Sequence, residues 1–86
     1  MQLSADGKFL EVNVGSHEIL HSFDHDDKEV IQRIEADRFS KKIIAVERIL
    51  SISEKFILTS YAFDRIIYWE YEEDYDALKK MLMHRI

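Results

Sequence analysis

Hydrophobic residues are most concentrated in residues 55–71, KFILTSYAFDRIIYWEY. Aromatic and β-branched side chains dominate this stretch, and such side chains suit a pleated, buried surface. The pattern predicts two strands, at about residues 56–63 and 66–71, that reverse direction around Asp64 and Arg65. We therefore expect this hairpin to form the centre of an antiparallel sheet.

Both faces of this hairpin carry apolar side chains. Alternate residues of a strand point to opposite faces, so Phe56 and Leu58 share one face while Ile57 and Tyr61 share the other. Each face therefore needs a cover. A helix can supply one cover, and the N-terminal half of the chain, another subunit or a ligand must supply the second.

The C-terminal residues predict an amphipathic helix over about residues 73–85. Acidic residues crowd its start and basic residues its end, which is the arrangement that the helix dipole favours. The helix should lie across one face of the sheet and bury its apolar stripe there. That stripe consists of Tyr71, Tyr75, Leu78, Leu82 and Ile86.

The N-terminal residues predict a second hairpin. A short strand over residues 1–4 is followed by a turn over residues 5–7 and a strand over residues 8–14. Gly15 and Ser16 should end that strand. One face of the second strand would carry Phe9 or Leu10, together with Val12 and Val14.

Residues 15–25 fit two interpretations. Ile19, His21 and Phe23 alternate as in a strand, whereas Ser16 could equally cap a short helix. The pattern does not decide between a strand and a helix.

Residues 27–39 predict a second helix. Asp26 and Glu29 have the spacing of a capping box, and Arg33 has an opposite charge four residues before it and four residues after it. The competing interpretation is a strand, which would make the protein a nearly all-β meander with seven strands and one helix.

These elements define an α+β fold in a single domain over residues 1–86, a length that supports one two-layer core. The antiparallel sheet combines the N-terminal hairpin with a C-terminal meander over about residues 43–71. The C-terminal helix, residues 73–85, covers one face, with the second helix, residues 27–39, on the same side.

The composition narrows the possible partners. Twelve Lys and Arg residues against seventeen Asp and Glu residues give a net charge of −5, which repels the phosphate backbone of nucleic acids. Cysteine is absent, so disulfides and thiolate ligands are excluded. The first residues, MQLSADGK, do not show the basic start and apolar run typical of a secretion signal, and no apolar stretch approaches the roughly 20 residues that cross a membrane. We therefore expect a cytoplasmic protein that binds neither nucleic acid nor membranes, and whose charge is compatible with a basic protein partner.

The sequence contains an HExxH motif that begins at His17. If the motif is helical, His17 and His21 share a face and can hold one Zn²⁺ while Glu18 acts as general base on the metal-bound water. A third ligand would be His25, which continues that face, or Glu35 further along the chain. The same residues also fit solvent-facing histidines in an acidic loop.

HEILHSFDHDD and the later IEADRFSKKII resemble the two motif blocks of the small HExxH metallopeptidases that cleave phage-type repressors. In that family a His-Glu helix is followed by a helix that carries an acidic ligand. The resemblance covers about residues 17–45 and implies zinc as the cofactor. It also implies that His17 and His21 are zinc ligands, that Glu18 is the base and that Glu35 is the third ligand.

Four aromatic residues of the central hairpin are candidate contact residues: Tyr61, Tyr68, Trp69 and Tyr71. They could line a pocket for a flat ligand, or they could belong to the core or to a subunit interface. Basic residues are not interleaved with them, so they do not predict base stacking on nucleic acid. Trp69 and Tyr61 are the expected anchors of an interface.

The sequence favours a small cytoplasmic, non-enzymatic binding or interaction module that acts as a homodimer and needs no cofactor. A sheet with apolar residues on both faces, in so short a chain, leaves area that one thin helical layer does not hide. The first alternative is a zinc-dependent HExxH metallopeptidase-like protein. The second is an acidic inhibitor or immunity-type protein that docks on a basic partner.

Overall fold

The computed structural model describes residues 1–83, within which it shows one sheet of seven strands and one helix. The strands are β1 (Gln2–Leu3), β2 (Phe9–Phe23), β3 (Glu29–Ile34), β4 (Ser40–Ala45), β5 (Ile49–Ile52), β6 (Phe56–Tyr61) and β7 (Arg65–Tyr71), and the helix is α1 (Tyr75–Met83). Two short 3₁₀ turns, Val46–Arg48 and Ala62–Asp64, join β4 to β5 and β6 to β7. The predicted end of the C-terminal helix at residue 85, and Ile86 of its stripe, lie outside the described residues.

The long strand β2 organises the sheet. Its first half pairs antiparallel with β1 and β4, and its second half pairs with β3 and β7. Strands β6 and β5 continue the sheet beyond β7. Ile44 of β4 and Ile57 of β6 nevertheless meet in one core, so the sheet curls around a concave face.

A β-bulge at residues 15–16 sets which side chains of β2 face inwards. Val14 lies opposite Tyr71 and His17 opposite Trp69, so three residues of β2 advance against two of β7. Because Tyr71 and Trp69 share a face of β7, the bulge brings His17 onto the same face as Val14. The expected end of the strand at this point is therefore wrong, since the strand continues through a bulge.

The concave face holds the core, and α1 lies across one end of it. Leu10, Ile57 and Leu78 are fully buried there, which confirms that the C-terminal helix packs on one face of the sheet. The N-terminal hairpin is also confirmed, with Leu10 rather than Phe9 facing inwards, because Phe9 is 49% exposed. The core consists of Leu10, Val12, Val14, Ile44, Ile57, Tyr71 and Leu78.

The second predicted helix, residues 27–39, is wrong. Residues Glu29–Ile34 instead form strand β3 against β2, and Arg33 forms salt bridges with Glu18 and Glu70 from neighbouring strands. Charge pairs four residues apart stabilise a helix by only about 0.2–0.5 kcal/mol each. Pairing with β2 satisfies the backbone groups of both strands, and this outweighs the local preference. The competing interpretation, with seven strands and one helix, matches the structure.

The C-terminal meander is confirmed for β5, β6 and β7, whereas β4 at its predicted start pairs with β2 instead. Strand β4 begins at Ser40 rather than near residue 43, and the turn of the central hairpin occupies Ala62–Asp64. Phe63 and Asp64 both have a φ of 60°, which places two consecutive non-glycine residues in the left-handed region.

The convex face of the sheet carries a stripe of aliphatic side chains. Leu20 lies opposite Ile31 on β3 and opposite Ile66 on β7, and these three residues define the convex stripe. Within residues 1–83 no helix lies over it, because α1 packs on the concave side. This convex face is therefore the second apolar face of the hairpin, the one that α1 leaves uncovered.

Candidate binding groove

A groove of about 700 Å³ opens on the concave face at the end that α1 does not cover. It lies between β4 and the 3₁₀ turn Val46–Arg48 on one side and strands β6 and β7 on the other. Its size falls within the roughly 300–1,000 Å³ that is typical of ligand-binding pockets. Apolar and aromatic lining residues include Ile44, Val46, Tyr61, Ile67 and Trp69.

Strand alternation positions the floor of the groove. Ile67 and Trp69 lie two residues apart on β7 and face the same side as the buried Tyr71. Thr59 of β6 lies opposite Ile67, and Ile57 lies opposite Trp69. The floor is therefore the outer part of the same face that forms the core near α1.

The indole of Trp69 is held in place by three neighbours. Its Nε1–H donates a hydrogen bond to Thr59 Oγ1 at 3.1 Å. The His17 ring packs on it with a centroid separation of 4.2 Å and an interplanar angle of 31°. Lys42 Nζ lies 4.7 Å from the indole centroid, within the range of a cation–π interaction. Trp69 thus forms a fixed aromatic surface before any ligand arrives.

The environment of His17 favours its neutral form. Burial lowers the pKa of this imidazole below its usual value, a hydrogen bond with the Gly15 backbone opposes that change, and the nearby Lys42 cation lowers the pKa further. A neutral ring stacks on Trp69 without adding a second charge beside Lys42. Lys42, His17 and Trp69 also line a smaller recess of about 280 Å³ that adjoins the groove.

Basic side chains gather at the groove although the chain is acidic overall. Lys8, Lys42 and Arg48 line it, against the single carboxylate of Glu47. Among the salt bridges of residues 1–83, none involves these three cations. By contrast, Arg33 on the convex side has three carboxylate partners.

The four aromatic candidates separate into three environments. Tyr61 and Trp69 line the groove. Tyr68 lies on the convex face, where its ring meets Phe56 edge to face at 6.2 Å. Tyr71 belongs to the core, and its hydroxyl donates a 2.6 Å hydrogen bond to the Ser53 carbonyl. Alternation along β7 already separates Tyr68 from Trp69 and Tyr71.

The HExxH motif lies inside strand β2 and not on a helix. Residues four apart in a strand are separated by about 13 Å, whereas one zinc ion holds its nitrogen ligands at about 2.0–2.1 Å. His17 packs on Trp69, His21 Nε2 lies 2.9 Å from Gln32 Oε1, and Glu18 accepts a 3.1 Å hydrogen bond from Arg33. The zinc alternative is therefore left without the helix on which it was based.

The proposed third ligands lie in separate places. Glu35 bonds to Arg33, which lowers the pKa of its carboxyl, and it also accepts a hydrogen bond from Ser16. The side chain of His25 is 92% exposed beside Asp26. Residues 1–83 contain no group of three His, Cys, Asp or Glu residues placed to hold a metal ion.

The acids near the start of α1 have local partners. Glu73 accepts hydrogen bonds from the Asn13 backbone N–H, at 2.9 and 3.2 Å to its two oxygens. Asp74 Oδ2 accepts one from the Ala77 N–H at 3.1 Å, as a residue that caps a helix does. Glu73 and Asp74 thus have structural roles within the chain, and no binding partner is needed to explain their presence.

Four residues that line the groove were not predicted from the sequence: Lys8, Lys42, Arg48 and Thr59. Lys42 could have been found, because it lies two residues before the buried Ile44 and so shares its face of β4. Lys8 and Arg48 join it through the pairing of β2 with β4 and the 3₁₀ turn that follows β4, where the Val46 N–H donates a hydrogen bond to the Lys8 carbonyl.

No protein-family model, curated protein or solved structure matches the chain. In the part of the chain that the structure describes, no helix has the length and apolar character to cross a membrane. The groove is therefore the feature of the protein from which a function can be inferred.

Proposed function

We propose that this chain is a small non-enzymatic binding module that holds the apolar part of a ligand in the groove, against Trp69. One observation carries the proposal: the indole is fixed by Thr59, His17 and Lys42 at the floor of a groove of about 700 Å³. A largely apolar, preformed recess with a few convergent polar groups is the usual form of a ligand site.

Preorganisation supports binding to this surface. A side chain that must be immobilised on binding costs about 0.5–1.5 kcal/mol, and Trp69 already has its hydrogen bond and its stacking partner. Trp69 is half-buried and lines the groove, so a flat or aliphatic group would pack on the part of the indole that His17 and Lys42 leave open, without a rearrangement of the floor. Tyr61 lies at the edge of the groove and offers a second aromatic contact.

The experiment uses Trp69 itself as the reporter, since the chain has one tryptophan. N-phenyl naphthylamine, a neutral aromatic probe, is titrated into the full chain while indole emission and energy transfer to the probe are followed. We expect saturable binding of one probe per chain. Tyr61→Ala should weaken it by roughly fivefold to tenfold, because about 1–1.4 kcal/mol of aromatic contact is lost.

The matched control is Tyr68→Ala, which removes the same side chain from the convex face. Binding should be unchanged in this variant, and circular dichroism confirms that both variants fold. Absence of saturable binding to the wild-type chain, or equal weakening in the two variants, contradicts the proposal.

A further inference from the structure

The groove differs in charge from the rest of the protein. Three cations and one carboxylate line it, while the whole chain has a net charge of −5. A cleft lined by one sign of charge concentrates ligands of the opposite sign, and low-dielectric walls strengthen the effect. The apolar floor and the basic lining are therefore properties of one site.

Lys42 is the central cation of this lining. It lies on the concave face of β4, half-buried, with its ammonium over the indole of Trp69. Within the described residues it forms no salt bridge with a carboxylate, and neither does Arg48, whereas the charge of Lys8 also acts on the nearby Asp6 carboxylate. Partial burial of a charge is unfavourable without a counter-charge, so an anion placed here gains a partner that the protein itself does not supply.

The direction of the His17 pKa shift is consistent with a positive charge at the groove. The Lys42 cation contributes to the lowered pKa of the imidazole, and no carboxylate acts in the opposite direction. The charged side chain that acts on this imidazole, which packs on Trp69, is thus a cation.

We propose that the ligand of the groove is a small organic anion, with a flat or aliphatic body on Trp69 and an acidic head, carboxylate or phosphate, at Lys42. Lys8 and Arg48 add positive charge at the end near the 3₁₀ turn Val46–Arg48. This inference rests on the proposed function of the groove. Extended polyanions fit less well, because they would also meet the acidic remainder of the surface.

The test compares two probes that share one ring system. Anilinonaphthalene sulfonate carries an anionic head, and N-phenyl naphthylamine is its neutral counterpart. We expect the anionic probe to bind roughly tenfold more tightly, and we expect its advantage to shrink between low and high salt, because salt screens charge within a Debye length of about 10 Å at 0.1 M. Dodecanoate and dodecyl phosphate should displace the anionic probe, and dodecanol should not.

Lys42→Gln keeps most of the side-chain length and removes the charge. It should lower the ratio of the two affinities from roughly tenfold to about one. Lys79→Gln, on the exposed side of α1, is the matched control and should leave the ratio unchanged. Arg48→Gln is a second variant, at an exposed position, which is used if Lys42→Gln does not fold. It should lower the ratio of the two affinities by roughly threefold.

The outcomes separate the two proposals. If neither probe binds, the proposed function fails. If the neutral probe binds in the groove but the anionic probe has no advantage, or if the charge variants leave that advantage intact, the groove remains and the anionic ligand class is overturned. Tighter binding of an acidic peptide than of either dodecyl anion would also overturn the small-molecule assignment.

Discussion

The imidazole of His17 packs on the indole of Trp69, with ring centroids 4.2 Å apart. The two residues lie opposite each other on β2 and β7, and the bulge at residues 15–16 turns His17 towards the concave face. The first residue of the HExxH motif is therefore part of the wall beside the groove. The neighbours of His17 are the Trp69 ring and the Lys42 cation, and neither of them is a metal ligand.

This contact predicts a pH dependence of stability. An unfolded histidine has a pKa of about 6.5, and the folded pKa of His17 lies lower because of burial. Above about pH 6.5 both states hold a neutral ring, so the contribution to stability is fully present. As the pH falls below that value, the unfolded state binds a proton that the folded state resists, and stability decreases until the lower folded pKa is passed.

Urea unfolding at a series of pH values from neutral to mildly acidic measures this effect. His17→Asn should reduce the slope of stability against pH in that window. His25→Asn removes a histidine whose side chain is 92% exposed and should leave the slope unchanged. An identical slope in wild type and His17→Asn would show that another group is responsible.

Gly15 predicts a steric coupling. A Cβ added at this position would lie 2.9 Å from Cε1 of Phe39, closer than carbon atoms normally approach. Gly15→Ala should therefore destabilise the fold by about 1 kcal/mol, the low end of the cost of overpacking, because the Phe39 ring is 41% exposed and can shift. In a Phe39→Ala background the clash is absent, and Gly15→Ala should become neutral or stabilising by up to about 0.5–1 kcal/mol, because glycine is unfavourable inside a strand.

A double-mutant cycle by urea unfolding measures that coupling. Additive effects of the two substitutions would mean that Phe39 does not occupy the space next to Gly15.

Much of the fold could be predicted from local pattern. The buried alternation through Leu10 and Ile57, and the amphipathic stripe around Leu78, are periodic and strong enough to define two hairpins and the terminal helix. Residues 27–39 could not be predicted in this way, since Arg33 finds its partners across strands that are distant in sequence. The spacing of charges within one segment does not predict salt bridges to other strands.

The groove was only partly predictable. Trp69 and Tyr61 were identified as contact residues by type, but the concave face that they share depends on the curl of the whole sheet. A strict alternation along β2 would also place His17 on the opposite face from Val14, and the bulge reverses this. The alternation of apolar and polar residues in a sequence does not indicate where a bulge occurs.

The turn between β6 and β7 predicts a stabilising substitution. Phe63 and Asp64 both have positive φ, the geometry of a turn that strongly prefers Asn-Gly. Phe63 is 90% exposed, so its ring contributes little burial in return for this backbone conformation. The pair Phe63→Asn with Asp64→Gly should raise the free energy of unfolding by about 1–2 kcal/mol.

Thermal unfolding followed by circular dichroism measures the gain. Phe63→Val is the opposite control and should destabilise the chain, because a β-branched residue tolerates positive φ poorly. A loss of stability in the Asn-Gly variant would show that the Phe63 ring contributes more than its exposure indicates.

The homodimer stays a prediction. The surface on which to test it is the convex stripe of Leu20, Ile31 and Ile66. Trp69 and Tyr61, the anchors expected from the sequence, lie on the other face. If two copies bury this stripe against each other, size-exclusion chromatography with light scattering gives the mass of two chains, and Ile31→Lys lowers it to that of one. Val30→Lys is the matched control, because Val30 is next to Ile31 on β3 and points to the opposite face. The two side chains are similarly exposed, Val30 by 42% and Ile31 by 47%. A wild-type mass of one chain at every concentration, or the same effect of both substitutions, would remove the convex stripe as an interface.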